Sequence, residues 1–323
     1  MKLFKKTILV CICLIFSFPL IMPIGTQAQC TGRDDLSNRP PWGRKLYDYD
    51  LDQKADLWLF NNGVWRIRKS SNAQVVTINY GQTGDIPTPD FYNNLTNIEI
   101  AIFRPGGTNG AEWWINTGSG QTSQFGLSTD KPVPGDYDDD GKTDLAVFRP
   151  STGVWYILNS SNQTLSYVSW GITGDVPIIG HFFPTDTKAD VAVFRPSNST
   201  WYALSSFDGT TKIRQFGATG DIVVPADYDC DKLTDFAIFR PNGTETSDWW
   251  ILKSFDDDVI NYDLGVGTDF PVPADYDGDL KADAAVYRPS EFKWYYLRTF
   301  NGDLVQVEFG SSGEVPVQNI LHR

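Results

Sequence analysis

Asp275-Tyr276-Asp277-Gly278-Asp279-Leu280-Lys281-Ala282-Asp283 places acids at positions 1, 3, 5 and 9 of a nine-residue loop. Close copies stand at Asp48–Asp56, Asp136–Asp144 and Asp227–Asp235. Four carboxylates in one short turn repel one another. A hard cation removes that cost, and Ca2+ takes six to eight oxygen ligands from carboxylates and loop carbonyls. A solvated acidic turn would explain one copy; it does not explain four with the same spacing.

Outward from the loop, the chain repeats. Six units align, with loops beginning near Asp48, Asp90, Asp136, Phe182, Asp227 and Asp275. A short Val/Pro strand leads into each loop, as in Pro271-Val272-Pro273-Ala274. An apolar strand follows, such as Leu145-Ala146-Val147-Phe148, with the two-sided apolar character of a strand buried between layers. An Arg-Pro pair stops it at Arg104, Arg149, Arg195, Arg240 and Arg288, since Pro removes a ladder donor. The third strand is aromatic, as in Val154-Trp155-Tyr156-Ile157. The fourth ends in an aromatic-Gly pair or a relative of it, and a turn carrying one acid (Asp85, Asp130, Asp175, Asp221, Asp269 or Glu314) closes the unit. The repeated Arg and the repeated acid are expected to form ion pairs or turn caps.

Four strands per repeat of this length is the pattern of a β-propeller blade. One four-stranded sheet cannot bury both faces alone; radial stacking buries them and closes the ring. The expected fold is all-β, a β-propeller of six four-stranded blades, with seven blades as the alternative because both ends are ambiguous. Val315-Pro316-Val317-Gln318-Asn319-Ile320 reads as a further first strand with no blade behind it. It either completes the ring or pairs with another molecule.

Over residues 44–317 these motifs resemble the FG-GAP/VCBS repeat family of extracellular propellers. The match rests on the acidic loop, the apolar strand after it, and stretches such as Phe216-Gly217-Ala218-Thr219-Gly220-Asp221-Ile222-Val223-Val224-Pro225. The family is similar to the propeller heads of integrin α chains and to certain fungal lectins. The resemblance implies calcium between the first two strands of a blade. It also implies adhesion or ligand binding rather than chemistry, and it names no ligand.

The expected oxygen donors follow from loop position. They are Asp48, Asp50, Asp52, Asp56 and the Lys54 carbonyl in unit 1, and Asp136, Asp138, Asp140, Asp144 and the Lys142 carbonyl in unit 3. Unit 5 offers Asp227, Asp229, Asp231, Asp235 and the Leu233 carbonyl, and unit 6 offers Asp275, Asp277, Asp279, Asp283 and the Lys281 carbonyl. That makes about four Ca2+ sites. Mg2+, which keeps its waters, suits such a cage less well. Unit 2 retains Asp90 at its start, and unit 4 has Phe182 and Pro184 where acids should stand. No tight calcium is expected in either. A sharp turn favours Gly at position 6, yet only Gly141 supplies it; Gln53, Lys232 and Leu280 take its place elsewhere.

Residues 1–28 have the basic start, apolar run and small-residue end of an export signal. Residues 29–43 then form a tail, and 44–323 a single propeller. No membrane insertion is expected once the signal is removed, so the protein is expected to be secreted, extracellular or at the cell surface. The formal charge of −13 opposes binding to a nucleic-acid backbone. Cys30 and Cys230 remain after processing. They can pair within the chain, cross-link two molecules, or stay free.

Only His181 and His322 are present, which leaves little material for His-based acid–base chemistry. Every carboxylate pair recurs from blade to blade, whereas a catalytic pair should be unique. The expectation is therefore a non-enzymatic binding or adhesion module whose partner is an extracellular protein or glycan. Trp42, Trp58 and Trp170 lie off the Trp-rich third strand and are the candidate ligand-stacking residues. Self-association into a surface layer or filament is the competing class, grounded on the unpaired C-terminal strand and Cys30.

Overall fold

The structure is a computed structural model describing residues 46–318, apart from 94–96, 108–109, 119, 186 and 244–245. The expected leader and tail, with Cys30, Trp42 and His322, lie outside the described residues.

The described strands form six four-stranded sheets. Blade 1 contributes β1 (Leu57–Asn61), β2 (Val64–Arg68) and β3 (Val75–Asn79). Blade 2 runs β4 (Ile86–Pro87), β5 (Ala101–Gly107), β6 (Gly110–Ile115) and β7 (Gln121–Gln124). Blade 3 runs β8 (Lys131–Pro132), β9 (Leu145–Arg149), β10 (Val154–Leu158) and β11 (Leu165–Ser169). Blade 4 runs β12 (Val176–Gly180), β13 (Asp190–Arg195), β14 (Thr200–Leu204) and β15 (Thr211–Gln215). Blade 5 runs β16 (Ile222–Val223), β17 (Phe236–Arg240), β18 (Asp248–Leu252) and β19 (Val259–Asp263). Blade 6 runs β20 (Phe270–Pro271), β21 (Ala284–Arg288), β22 (Lys293–Leu297) and β23 (Leu304–Glu308). Finally β24 (Val315–Pro316) returns to blade 1 and pairs antiparallel with β1, Leu59 opposite Pro316 and Phe60 opposite Val315. The extra first strand is thus consumed in closing the ring, and the seven-bladed alternative is set aside.

Burial follows the radial order. Second strands such as β9 are buried on both faces, third strands such as β10 alternate, and outer strands such as β11 swing between exposed and half-buried. The core lies between blades. One apolar cluster joins blades 1 and 2 through Trp58, Ile67 and Ile102, and another joins blades 6 and 1 through Leu57, Leu59, Tyr287 and Trp294. Each third-strand Trp (Trp65, Trp113, Trp155, Trp201, Trp249, Trp294) is fully buried. Each also donates its indole N–H to the carbonyl that precedes the fourth-strand Gly, at 2.8–3.1 Å. One side chain thus supplies apolar area and satisfies its own polar handle. The Gly is needed for backbone shape and room. Gly171 has φ +132°, and a Cβ there would meet the Phe148 ring at 3.1 Å.

The repeated acid and the repeated Arg do touch. Arg104–Asp85, Arg149–Asp130, Arg195–Asp175, Arg240–Asp221 and Arg288–Asp269 are two-pronged pairs at 2.8–3.0 Å. Each acid also caps its turn; Asp175 accepts the Ile172 N–H at 2.9 Å. Four of these Arg side chains stack on a third-strand aromatic of their own blade, as Arg149 does on Tyr156 at 4.2 Å. Blade 1 differs. Asn61 stands where the Arg should be, and the Arg has moved to Arg66, the place of the aromatic. Glu314, one methylene longer than Asp, meets Arg66 at 2.9 Å. The pair joins residues 248 apart in sequence, so it reinforces the closing strand.

Candidate metal loops and the face that carries them

Strand pairing sets the register of the six loops. Gly135, Ala226 and Ala274 bridge Asp144, Asp235 and Asp283, and Gly180 pairs with Asp190. Asp90 bridges Glu99 in the same way. Asp90 therefore precedes loop 2, which starts at Phe91, and loop 4 starts at His181 rather than Phe182. The sequence alignment had followed the acids. The register is decided instead by the aromatic at position 2 (Tyr49, Tyr92, Tyr137, Phe182, Tyr228, Tyr276), which is buried in five loops. At five of the six junctions the N–H of the residue just before the loop's last acid donates to the position-1 carbonyl of the preceding loop, as Ala189 does to Asp136 at 2.7 Å. The others are Thr143 to Phe91, Thr234 to His181, Ala282 to Asp227 and Ala55 to Asp275. The loops are therefore linked along one face of the ring.

In loops 1 and 3 the carboxylates of Asp48, Asp50 and Asp56, and of Asp136, Asp138 and Asp144, bring one oxygen each within 4.8 Å of the others. In loops 5 and 6 the converging trios are Asp227, Asp229 and Asp231, and Asp275, Asp277 and Asp279. Position 5 (Asp52, Asp140) is thus outside the trio in two loops, and position 9 (Asp235, Asp283) is outside it in the other two. The position-9 acids act as braces. Asp144 accepts the Tyr137 N–H at 2.8 Å with one oxygen and the Ser160 N–H at 2.6 Å with the other. Position-5 acids cap the turn, as Asp52 does for the Lys54 N–H and Asp140 for the Lys142 N–H. Position-7 N–H groups in the other two loops, Leu233 and Lys281, likewise donate to Asp231 and Asp279.

Burial, opposed by backbone N–H donors, raises the carboxyls of Asp48, Asp56 and Asp144 to about 6 and those of Asp136 and Asp283 to about 7. Asp227 and Asp235 also stand at about 7, raised by burial first; repulsion from Asp235 comes next for Asp227. Charge in these loops is underpaid by the protein alone. Asp50 and Asp138 each keep one buried carboxylate oxygen without any hydrogen-bond donor. Oxygen donors left bare beside two other carboxylates fit a hard cation, so these groups can hold a metal ion. In loops 2 and 4, Phe91 and His181 take position 1, and no such trio forms among the described residues.

The turn strains the backbone at position 6. Gln53, Lys232 and Leu280 all have positive φ, as Gly141 does. A left-handed non-Gly residue costs about 1–2 kcal/mol, and part of that gain is lost when Gly loosens the unfolded chain. Leu280→Gly is expected to stabilise the protein by about 0.5–1 kcal/mol, read as a higher denaturant midpoint at unchanged slope.

Of the three Trp candidates, Trp42 lies outside the described residues. Trp58 is fully buried where the other blades carry Ala, edge-on to Tyr47, Tyr49 and Trp65, with its N–H on the Tyr47 carbonyl at 2.8 Å. It broke the pattern because it fills space beside the closing strand. Trp170 is half-buried and donates to the Tyr202 carbonyl of the next blade at 3.0 Å, so it is a blade-to-blade tie. Cys230 is disulfide-bonded; Cys30, its expected partner, lies outside the described residues. His181 is half-buried, and burial lowers its imidazole to about 4, leaving it neutral at pH 7.

Sequence reasoning missed the exposed aromatics. Phe207, Phe255 and Phe300 are 66%, 78% and 72% exposed at the tips of the hairpins between third and fourth strands in blades 4, 5 and 6. Blades 1 and 3 carry Ser71 and Ser161 there. The tips are tied to the acid loops: Ser161 and Phe300 donate backbone N–H groups to Asp138 and Asp277, at 3.3 and 3.0 Å. The signal was legible as an apolar residue inside a polar turn, in Ser206-Phe207-Asp208, Ser254-Phe255-Asp256 and Thr299-Phe300-Asn301.

No protein family and no curated protein matches the sequence. Solved structures share its fold. A streptogramin B lyase is 8% identical with TM-score 0.48, covering 85% of this chain and 86% of its own. A virginiamycin B lyase from Staphylococcus aureus is 9% identical with TM-score 0.47, covering 84% and 89%. A Bacteroides fragilis protein described as a "putative 6-phosphogluconolactonase" is 10% identical with TM-score 0.43, covering 84% and 98%. The expectation that the chain is not an enzyme is corrected here, because propellers similar to it in fold are named for enzymes. At these identities the likeness shows the fold alone and assigns no reaction. The chain is a six-bladed propeller with acidic groups that can hold metal, and that fold fits a binding module. No helix among the described residues is long and apolar enough to cross a membrane.

Proposed function

We propose that the chain is a secreted, calcium-binding propeller of the FG-GAP/VCBS kind, which binds an extracellular glycan or protein through the face carrying its acid loops. The observation that carries this reading is the trio Phe207, Phe255 and Phe300. Three large apolar side chains stand exposed at one repeat position of three consecutive blades, and single exposed aromatics rarely repeat in register by accident. Calcium supports part of this face indirectly: in blades 5 and 6 the acids Asp231 and Asp277 that would hold it also accept from Ser254 and Phe300 of the hairpin tips. Repetition around the ring favours a multivalent ligand, for which several weak contacts add to one useful affinity. The leader-like residues 1–28 and the FG-GAP/VCBS-like motifs support an extracellular setting.

The test is a glycan array and a cell-surface binding assay in millimolar calcium. Phe207→Ser, Phe255→Ser and Phe300→Ser together install the residue of blades 1 and 3. Binding is expected to fall at least about tenfold, on the order of one to two well-packed contacts, while the melting temperature is unchanged. Retained binding by the triple variant would reject this face.

A further inference from the structure

Blade 4 departs from the metal-bearing pattern twice, and the two departures meet. Its loop has His181 and Phe183 at positions 1 and 3, where blades 1, 3, 5 and 6 carry acids. No converging acid trio forms there among the described residues. Its fourth strand carries Lys212 opposite Ala203. At that register the other blades have Val76, Gln121, Ser166, Ile260 and Val305, none of them charged.

The ammonium reaches the loop that lost its acids. Lys212 Nζ donates to the Phe182 carbonyl, at position 2, across 2.8 Å. It also lies 5.6 Å from the centre of the Phe183 ring. An aromatic face thus stands where the other loops hold the position-3 carboxylate, and a cation is attracted to such a face. The brace at the end of the loop survives: Asp190 accepts the Phe182 N–H at 2.8 Å and the Ser206 N–H at 2.9 Å. At the hairpin tip, Ser205 Oγ accepts the Phe207 N–H at 3.3 Å. No trio acid is among these partners. Blades 5 and 6 differ, since Ser254 and Phe300 donate to Asp231 and Asp277, which belong to trios. Blade 2 completes the pattern: it has no trio, an uncharged Gln121, and no aromatic in its turn from Asn116 to Gly120. Each blade that presents a Phe at its tip has either a trio or a lysine.

We propose that Lys212 is the built-in cation of blade 4, so that Phe207 is the metal-independent contact of the ligand face while Phe255 and Phe300 depend on metal. The assignment rests on the calcium and the Phe face of the function proposed above. A compact charge on a flexible four-carbon stem can enter a loop that lacks the oxygens to hold a divalent ion. Chelation then spares one contact of three. Ligand binding is graded by calcium rather than switched off, because a multivalent face loses affinity contact by contact.

Chymotrypsin, which cleaves after exposed aromatic residues, reads the three tips separately on the full chain, well below its melting temperature, with the fragments identified by mass spectrometry. Relative to millimolar calcium, excess EGTA should speed cleavage at Phe255 and Phe300 about two- to tenfold, the share of one site, and leave Phe207 unchanged. Lys212→Met keeps the stem and drops the charge. It should speed cleavage at Phe207 about tenfold, the factor for a lost charge-assisted hydrogen bond, in calcium and in EGTA alike. Lys212→Arg, which keeps the charge, should behave as the parent chain. Unaltered cleavage at Phe207 in Lys212→Met, or EGTA loosening Phe207 as much as Phe300, would overturn the proposal. EGTA without effect at any tip would reject calcium at this face; Phe207 loosened by Lys212→Met in the same experiment would still support the lysine as the cation of blade 4.

Discussion

Deleting residues 314–323 is expected to cost the propeller about 5 kcal/mol, comparable to the whole net stability of a marginal domain. The deletion removes β24, so β1 loses its ladder partner on the axial side. It removes Val317, which is 2% exposed within the cluster that joins blades 1 and 2; burying such a side chain contributes about 1.5–3 kcal/mol. It also strands Arg66, whose partner Glu314 is almost fully buried. Breaking a buried pair from one side costs about 3–5 kcal/mol, and the partial exposure of Arg66 moves this towards about 2 kcal/mol. Other blades cannot compensate, because their first strands are already paired. Thermal melting of the truncated chain should fall by about 8 °C or more, or the chain should fail to fold. An unchanged midpoint would show that blade 1 is held by something other than β24. Glu314→Ala separates the contributions: it should lose only the ion-pair part.

Chelation is expected to have an effect of similar size. Extracellular calcium modules bind at about 0.1–1 mM. At about 1 mM calcium each site then adds about 0.4–1.4 kcal/mol, and four sites add about 2–6 kcal/mol. For a ring of this length that is about 3–10 °C of melting temperature. Excess EGTA, which leaves Mg2+ largely free, should lower the midpoint by that amount, and added calcium should restore it. Magnesium alone should restore little, since a cage of protein oxygens demands a dehydrated ion. The loops should respond unequally. Asp138→Asn removes a carboxylate whose one oxygen lacks any donor, so it should abolish one site's share of the shift. An equivalent change in loop 2 or 4 should leave the shift intact. No response to EGTA would reduce the four trios to turn caps.

The comparison of the blades shows how differently parts of this chain could be read. The four-strand unit was legible because its causes are local. The Leu-Ala-Val-Phe run, the Arg-Pro stop, the Trp of the third strand and the aromatic-Gly turn each impose a backbone shape within a few residues. The ion pairs were half legible: recurrence marked Asp175 and Arg195 as linked, but only strand pairing brings them together across 20 residues. Blade 1 hid its version of the pair, because Arg66 and Glu314 exchange both position and length. Loop register misled where acids had been lost, since Asp90 resembles a position-1 ligand and only its bridge to Glu99 places it outside the loop.

The sequence by itself determined the repeat, the number of strands in it and the chemistry of the acidic loops, all of which depend on residues near one another in the chain. Tertiary structure decided what depends on distant segments meeting. It chose six blades by spending Val315–Pro316 on β1. It buried Trp58 against Tyr47 and Tyr49 and exposed three phenylalanines at hairpin tips. Burial and closure are properties of the ring, and no single repeat carries them.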